Sequence, residues 1–203
     1  VPVIKQFDRC APSYLPKPHT AWGTKTATLN IGAYEKISCH RPNKLVESFA
    51  ERVKWVNGSG QEITAARAKN GWRSDTKTIG YDLVQLNHYA LRSSNSFLVK
   101  RQRGRALHVD RSIGLNYWMR MDWNQHHDAT ILRNLPRLKA EMARLMADAE
   151  VAQGHADAVA WHREKIANLK QVPEFSELLD DVQAMAFENT DRVLAVLEAD
   201  VES

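Results

Sequence analysis

LNHYALRSSNSFLVKRQRGR, residues 86–105, sets a histidine, a pair of serines, an apolar pair and a run of cations on one short stretch. Just before it, Tyr81–Tyr89 (YDLVQLNHY) alternates well enough for a strand, with Leu83 or Val84 and Leu86 as apolar positions and Asn87-His88 as a polar tip. Ser93 or Ser94 suits an N-cap, Phe97 and Leu98 suit the buried face of a short helix, and Gly104 suits its end. A strand ending at His88 and a helix starting near Ser93 would bring an imidazole and free backbone N–H groups to one sheet edge, where anionic ligands bind in α/β folds. Lys100, Arg101, Arg103 and Arg105 follow within two turns, a combination that points to phosphate. The plain alternative stands beside it. A lone histidine after a strand is more often a hydrogen-bonded structural residue than a ligand, and basic runs are usually solvated faces.

Outside this stretch the charge is divided. Residues 1–139 carry 23 Lys and Arg against 10 Asp and Glu, whereas residues 140–203 carry 5 against 14. A basic front half fits an anionic ligand, either nucleotide-sugar phosphates or nucleic acid; an acidic tail fits solvent, a basic partner or the chain's own front half. With 43% hydrophobic and 26% charged residues the composition is that of a soluble globular protein. No run approaches the ~20 apolar residues of a membrane span, and no signal peptide is recognisable. Cys10 and Cys39 lack CxxC spacing, which favours a reduced, cytoplasmic setting with plain thiols. The start at Val1, in mid-pattern, suggests a piece of a longer protein.

Toward the N-terminus, Pro12, Pro16 and Pro18 predict an extended, turning segment in which His19, Trp22 and Lys25 could clamp a sugar or a base. Packing of Trp22 against its own loop accounts for the same residues. Strands are expected at 25–30 and 36–40 with a turn at Gly32, and a short helix or loop at 44–54. Asn57-Gly58 is the strongest turn signal, and residues 61–79 read as a mobile loop. Toward the C-terminus, His108 and Asp110 would share a face only if extended. Tyr117–Trp123 reads as a short strand or aromatic anchor, and His126-His127-Asp128 as an N-cap rather than a metal triad. Ile131, Leu135, Leu138, Met142 and Leu145 step as one helical face, with a kink or start near Pro136 and an end by Gly154; helices at 155–170, 175–187 and 190–197 follow. This part reads as an antiparallel helical cap able to form oligomers.

The run N-H-Y-A-x-R-S-x-x-S-F-L-V-K-x-x-R-G-R at 87–105 resembles the C-terminal part of bacterial family 2-like glycosyltransferases. RCAPSYLPKPHTAWGTKT at 9–26, CHRPN at 39–43, WVNGSG at 55–60, and Tyr117, Trp118, Asn124 and Asp128 agree in order, so the likeness covers roughly 1–135. Asn95 departs from it, standing where the family commonly has Glu. The resemblance implies a GT-A-type nucleotide-sugar-binding fold, α/β overall and α+β in this portion. It places part of the catalytic domain at 1–127 and a helical appendage at 128–203. It also implies transfer of a sugar from a nucleotide-sugar donor to a hydroxyl acceptor, a saccharide, with a divalent cation, Mn or Mg. On this likeness His88 is the metal position, and Arg92, Lys100, Arg103, Trp22 and Lys25 are substrate or phosphate contacts; no catalytic base is assigned. The family's Asp-x-Asp segment has no match in this sequence, so the upstream N-terminal half of the same protein is an implied partner and the chain alone is expected to be inactive. The alternatives are a nucleic-acid-binding module, with Trp22, Trp55 or Trp72 stacking on bases, and a structural or oligomerisation piece.

Overall fold

The computed structural model describes residues 3–12, 22–70, 73–105 and 112–185. His19, Trp72, His108, Asp110 and the helix expected at 190–197 lie outside the described residues. The chain is α+β and divides into two compact units, Val1–Pro12 with Tyr89–Ser203, and Ser13–His88.

In the unit ending at His88 the strands are β2 (Tyr34–Ile37) and β3 (Pro42–Leu45), an antiparallel pair with Tyr34 opposite Leu45 and Ile37 opposite Pro42. Gly32, at φ 74°, makes the turn ahead of β2. The helix considered for 44–54 is instead the end of β3 and a 3₁₀ turn, Glu47–Phe49, and the strand expected at 25–30 is irregular, with Leu29 79% exposed. Residues 61–79 are no structureless loop. They contain the helix α2 (Thr64–Asn70), whose entry is fixed by Trp55 N donating to Thr64 Oγ1 and Ile63 N donating to Trp55 O. Trp22, Ala33 and Ile63 are buried here together with Arg67 and Ser74.

The segment before His88 is neither strand nor helix. Leu83 N and Val84 N both donate to Gly58 O, and two successive amides turned to one oxygen cannot follow the alternation of a strand. Tyr81, Leu83, Val84 and Leu86 consequently lie at 59–69% exposure, so their apolar spacing buries nothing. Asn57 supports the same turn: its Oδ1 accepts from Ser59 N and Gln61 N, and its Nδ2 donates to Ile79 O.

The other unit is helical. α1 (Val3–Gln6) and β1 (Arg9–Cys10) lead in, and β1 pairs antiparallel with β4 (His126–His127), Arg9 opposite His127. His126-His127 is thus strand, while Asp128 Oδ1 caps by accepting Thr130 N. α3 (Ser94–Arg103) has Ser93 as N-cap, its hydroxyl accepting Ser96 N, and Gly104 as C-cap at φ 74°. Tyr117–Trp123 falls largely in α4 (Leu115–Met121), helix rather than strand, with Trp118 and Trp123 buried as anchors. α5 (Leu135–Met146) has Pro136 in its first turn; α6 (Ala149–Leu169) starts on an Asp148 cap and runs through Gly154, where a helix end was expected; α7 (Pro173–Ala184) follows. Leu91, Phe97, Leu98, Ile113, Trp118, Leu169, Leu178, Leu179 and Val182 form the core, with α3 packed on α6 and α7, and α4 on α7. The described strands are short and antiparallel; none pairs in parallel among the described residues.

Candidate functional site

α3 is the element that gathers the cations. Its buried side, Phe97 at 0% and Leu98 at 1% exposure, fixes the rotation of the helix and leaves Lys100, Arg103 and the following Arg105 at its other edges. Lys100 Nζ donates to Ala90 O at 2.5 Å and to Tyr117 Oη at 2.8 Å, and lies 4.4 Å from the Tyr117 ring centre. Arg105 places its guanidinium 5.2 Å from the same ring centre, and its buried Nε has no hydrogen-bond partner among the described residues. Tyr117 in turn stacks on Phe97, with centroids 6.3 Å apart and planes 19° from parallel. Two cations therefore share one aromatic ring that is itself held by the core.

Arg103 is exposed, and none of Lys100, Arg103 and Arg105 forms an ion pair among the described residues. The C-terminal dipole of a helix amounts to about half a negative charge, too little to compensate three cations. Arg101 behaves differently. Its Nη1 donates to Ile113 O at 2.8 Å, its Nη2 pairs with Glu174, and its guanidinium sits over Phe175. It ties α3 to α7 and is a structural cation.

At the other end of α3, Arg92 is exposed and adopts φ 63°, a left-handed conformation that a residue with a Cβ adopts at a cost. Asn95 Oδ1, in the first turn, and Tyr89 Oη are buried without hydrogen-bond partners among the described residues. Ser96 Oγ lies 3.3 Å from His162 Nε2 and 3.1 Å from Ser93 Oγ, which links the start of α3 to α6.

The remaining expected site residues belong to the other unit. His88 is its exposed last residue. Trp22 is 8% exposed, and its carbonyl accepts Ser74 N at 2.8 Å, so it is packed rather than open as a clamp. Lys25 is exposed, with Nζ 3.2 Å from Cys39 O and 3.3 Å from His40 Nδ1. Trp55 carries Arg41 over its ring at 5.1 Å and meets Tyr34 edge-on. Among the described residues no group of three or more His, Cys, Asp or Glu side chains comes together that could hold a metal ion.

Sequence reasoning found the α3 cations but missed Tyr117 as their seat, the tether role of Arg101 and the Ser96–His162 contact. The spacing of Lys100 and Arg105 gave no hint, because the ring they share comes from α4, more than a turn of sequence away. No protein-family profile, curated protein or solved structure matches this chain.

Proposed function

We propose that the chain is the C-terminal portion of a glycosyltransferase that moves a sugar from a nucleotide-sugar donor to a saccharide hydroxyl, with 1–127 part of the catalytic domain and 128–203 an appendage. The observation that carries the reading is the group Lys100, Arg103 and Arg105, without ion pairs among the described residues and partly seated on Tyr117, inside the sequence block that resembles that family. As the glycosidic bond to the donor phosphate breaks, negative charge builds on the departing nucleoside diphosphate, and fixed cations stabilise it there. Arg103 and Arg105 have donors left for phosphate oxygens; Lys100 has one after Ala90 and Tyr117 are served. The proton of the acceptor hydroxyl goes to a base outside this set.

By the resemblance, a divalent cation, Mn or Mg, would supply neutralisation of diphosphate charge when bound. His88 is the one ligand the resemblance assigns, and one imidazole does not make such a site; the described residues alone do not fit the ion. The missing carboxylates belong, in this reading, to an Asp-x-Asp-type segment elsewhere in a longer protein, and a GT-A-type layer and a cytoplasmic setting belong to the same proposal. Cys10 and Cys39 are both free thiols, and no helix among the described residues is long and apolar enough to cross a membrane. The nucleic-acid alternative is weaker, since Trp22 is buried and Trp55 already carries Arg41.

Calorimetry tests the reading. Nucleoside diphosphate should bind the chain weakly, and Arg103→Ala with Arg105→Ala should cut that affinity about tenfold while costing at most about 1 kcal/mol of stability through the lost Arg105–Tyr117 contact. Binding of single-stranded oligonucleotide in place of nucleoside diphosphate would replace the reading by the nucleic-acid one. In a longer parent protein, His88→Ala should cost about 10–100-fold in activity with the fold intact; a lower melting point with normal turnover would retire the ligand role.

A further inference from the structure

The hairpin made by α5 and the first half of α6 contains no buried residue: from 135 to 160 every side chain keeps contact with solvent. Farther along, α6 is anchored on α3 through Leu169 and His162. The projecting half is nonetheless apolar. Leu135, Leu138, Met142 and Leu145 recur along one stripe of α5, and on α6 only Glu150, Gln153, His155 and Asp157 interrupt a surface of Val, Ala and Gly. One neighbouring helix cannot cover so wide an apolar surface. Met142 stays 37%, Val151 42% and, at the root of the hairpin, Trp161 58% exposed.

Charge identifies what covers it. Residues 133–146 carry Arg133, Arg137, Lys139 and Arg144 against Glu141, whereas 148–160 carry Asp148, Glu150 and Asp157 with no Lys or Arg. Among the described residues no ion pair joins the two helices of one chain; Arg144 pairs with Glu141 on its own helix. We propose that a second copy of this chain completes the hairpin as a four-helix bundle, the two hairpins stacked face to face about a two-fold axis parallel to the helices. Each basic α5 then lies on the acidic half of the partner's α6, and all neighbouring helices run antiparallel. The other two-fold stacking would lay α5 on α5 and set basic helix against basic helix.

Light scattering on the full chain should give the mass of a dimer. Reversing α5 (Arg137→Glu with Lys139→Glu) or α6 (Glu150→Lys with Asp157→Lys) should each weaken self-association about tenfold or more. An equal mixture of the two should recover a dimer holding one of each. All four positions are exposed, and circular dichroism reports whether the helices survive. A chain with all four reversals keeps complementarity within and between copies, so it should dimerise with itself and not with the unaltered chain, which keeps the test decisive if either two-site variant unfolds. A monomeric unaltered chain overturns the proposal and leaves residues 186–203 or a foreign helix as the cover. Reversed variants that stay dimeric, or a folded pair that fails to recover the dimer on mixing, overturn it equally.

Discussion

Arg67, at 6% exposure, spends its guanidinium on its own surroundings: Nη1 donates to Arg73 O at 2.9 Å and Nη2 to Ser74 Oγ at 2.7 Å, while Arg41 donates to its carbonyl at 3.0 Å. Burial first, and then the Arg41 cation, hold its pKa below the usual guanidinium value, with Asp75 opposing. A planar fork is what satisfies both acceptors at once. Arg67→Ala should therefore cost roughly 3 kcal/mol in a denaturant melt, and Arg67→Lys should recover only part of it. The two cysteines separate at the same scale. Burial, and secondarily the charge of Asp128, push the Cys10 thiol up, whereas Cys39 is exposed. A raised folded-state pKa means that the contribution of Cys10 to stability is complete below the ordinary thiol value and is lost as pH rises through the folded one. With an alkylating reagent at about pH 8, Cys39 should label first and Cys10 only slowly until the chain unfolds; equal rates would contradict the burial of Cys10.

Among the elements, α3 owes its limits to local chemistry and its position to packing. Ser93→Ala should remove about 1 kcal/mol by leaving Ser96 N without its acceptor, and Phe97→Ala about 3–5 kcal/mol by opening the core beneath Tyr117 and Trp118. Comparing the two by thermal melting measures how far packing outweighs capping. The 57–60 turn offers a sharper test. A Cβ on Gly58 would stand 2.1 Å from Gly80 O and 2.3 Å from Val84 O, both backbone atoms, so nothing flexible can give way. Gly58→Ala should release residues 79–84, read as faster amide exchange at Leu83 and Val84, whose donors now meet Gly58 O.

For the whole molecule, the excess of basic residues lies in 1–139 and that of acidic residues in 140–203, and binding of an anionic ligand should weaken as salt is raised. On the glycosyltransferase reading the purified chain should bind nucleoside diphosphate yet transfer no sugar; robust turnover would refute the need for a carboxylate segment elsewhere. Asp128 N donates to Asp8 O and Gln125 N to Cys10 O, so the first residues join the helices rather than the segment that follows them in sequence.

The sequence by itself determined the features that one or two turns of chain decide. Ser93 and Gly104 bounded α3, Asn57-Gly58 made its turn, Pro136 marked the start of α5, and the apolar steps after Asp128 became helices, although the break expected by Gly154 falls ahead of Ala149. Each rests on a hydrogen bond or a backbone preference satisfied within a few residues. The tertiary structure alone decided the rest. The alternation at 81–88 needed a neighbouring strand to become one and met Gly58 O instead. Arg101 and Lys100 stand one residue apart on a basic run, yet the first pairs with α7 and the second with Ala90 and Tyr117. A strand requires a partner, and a cation acquires its role from what the fold brings to it; neither is written in local spacing.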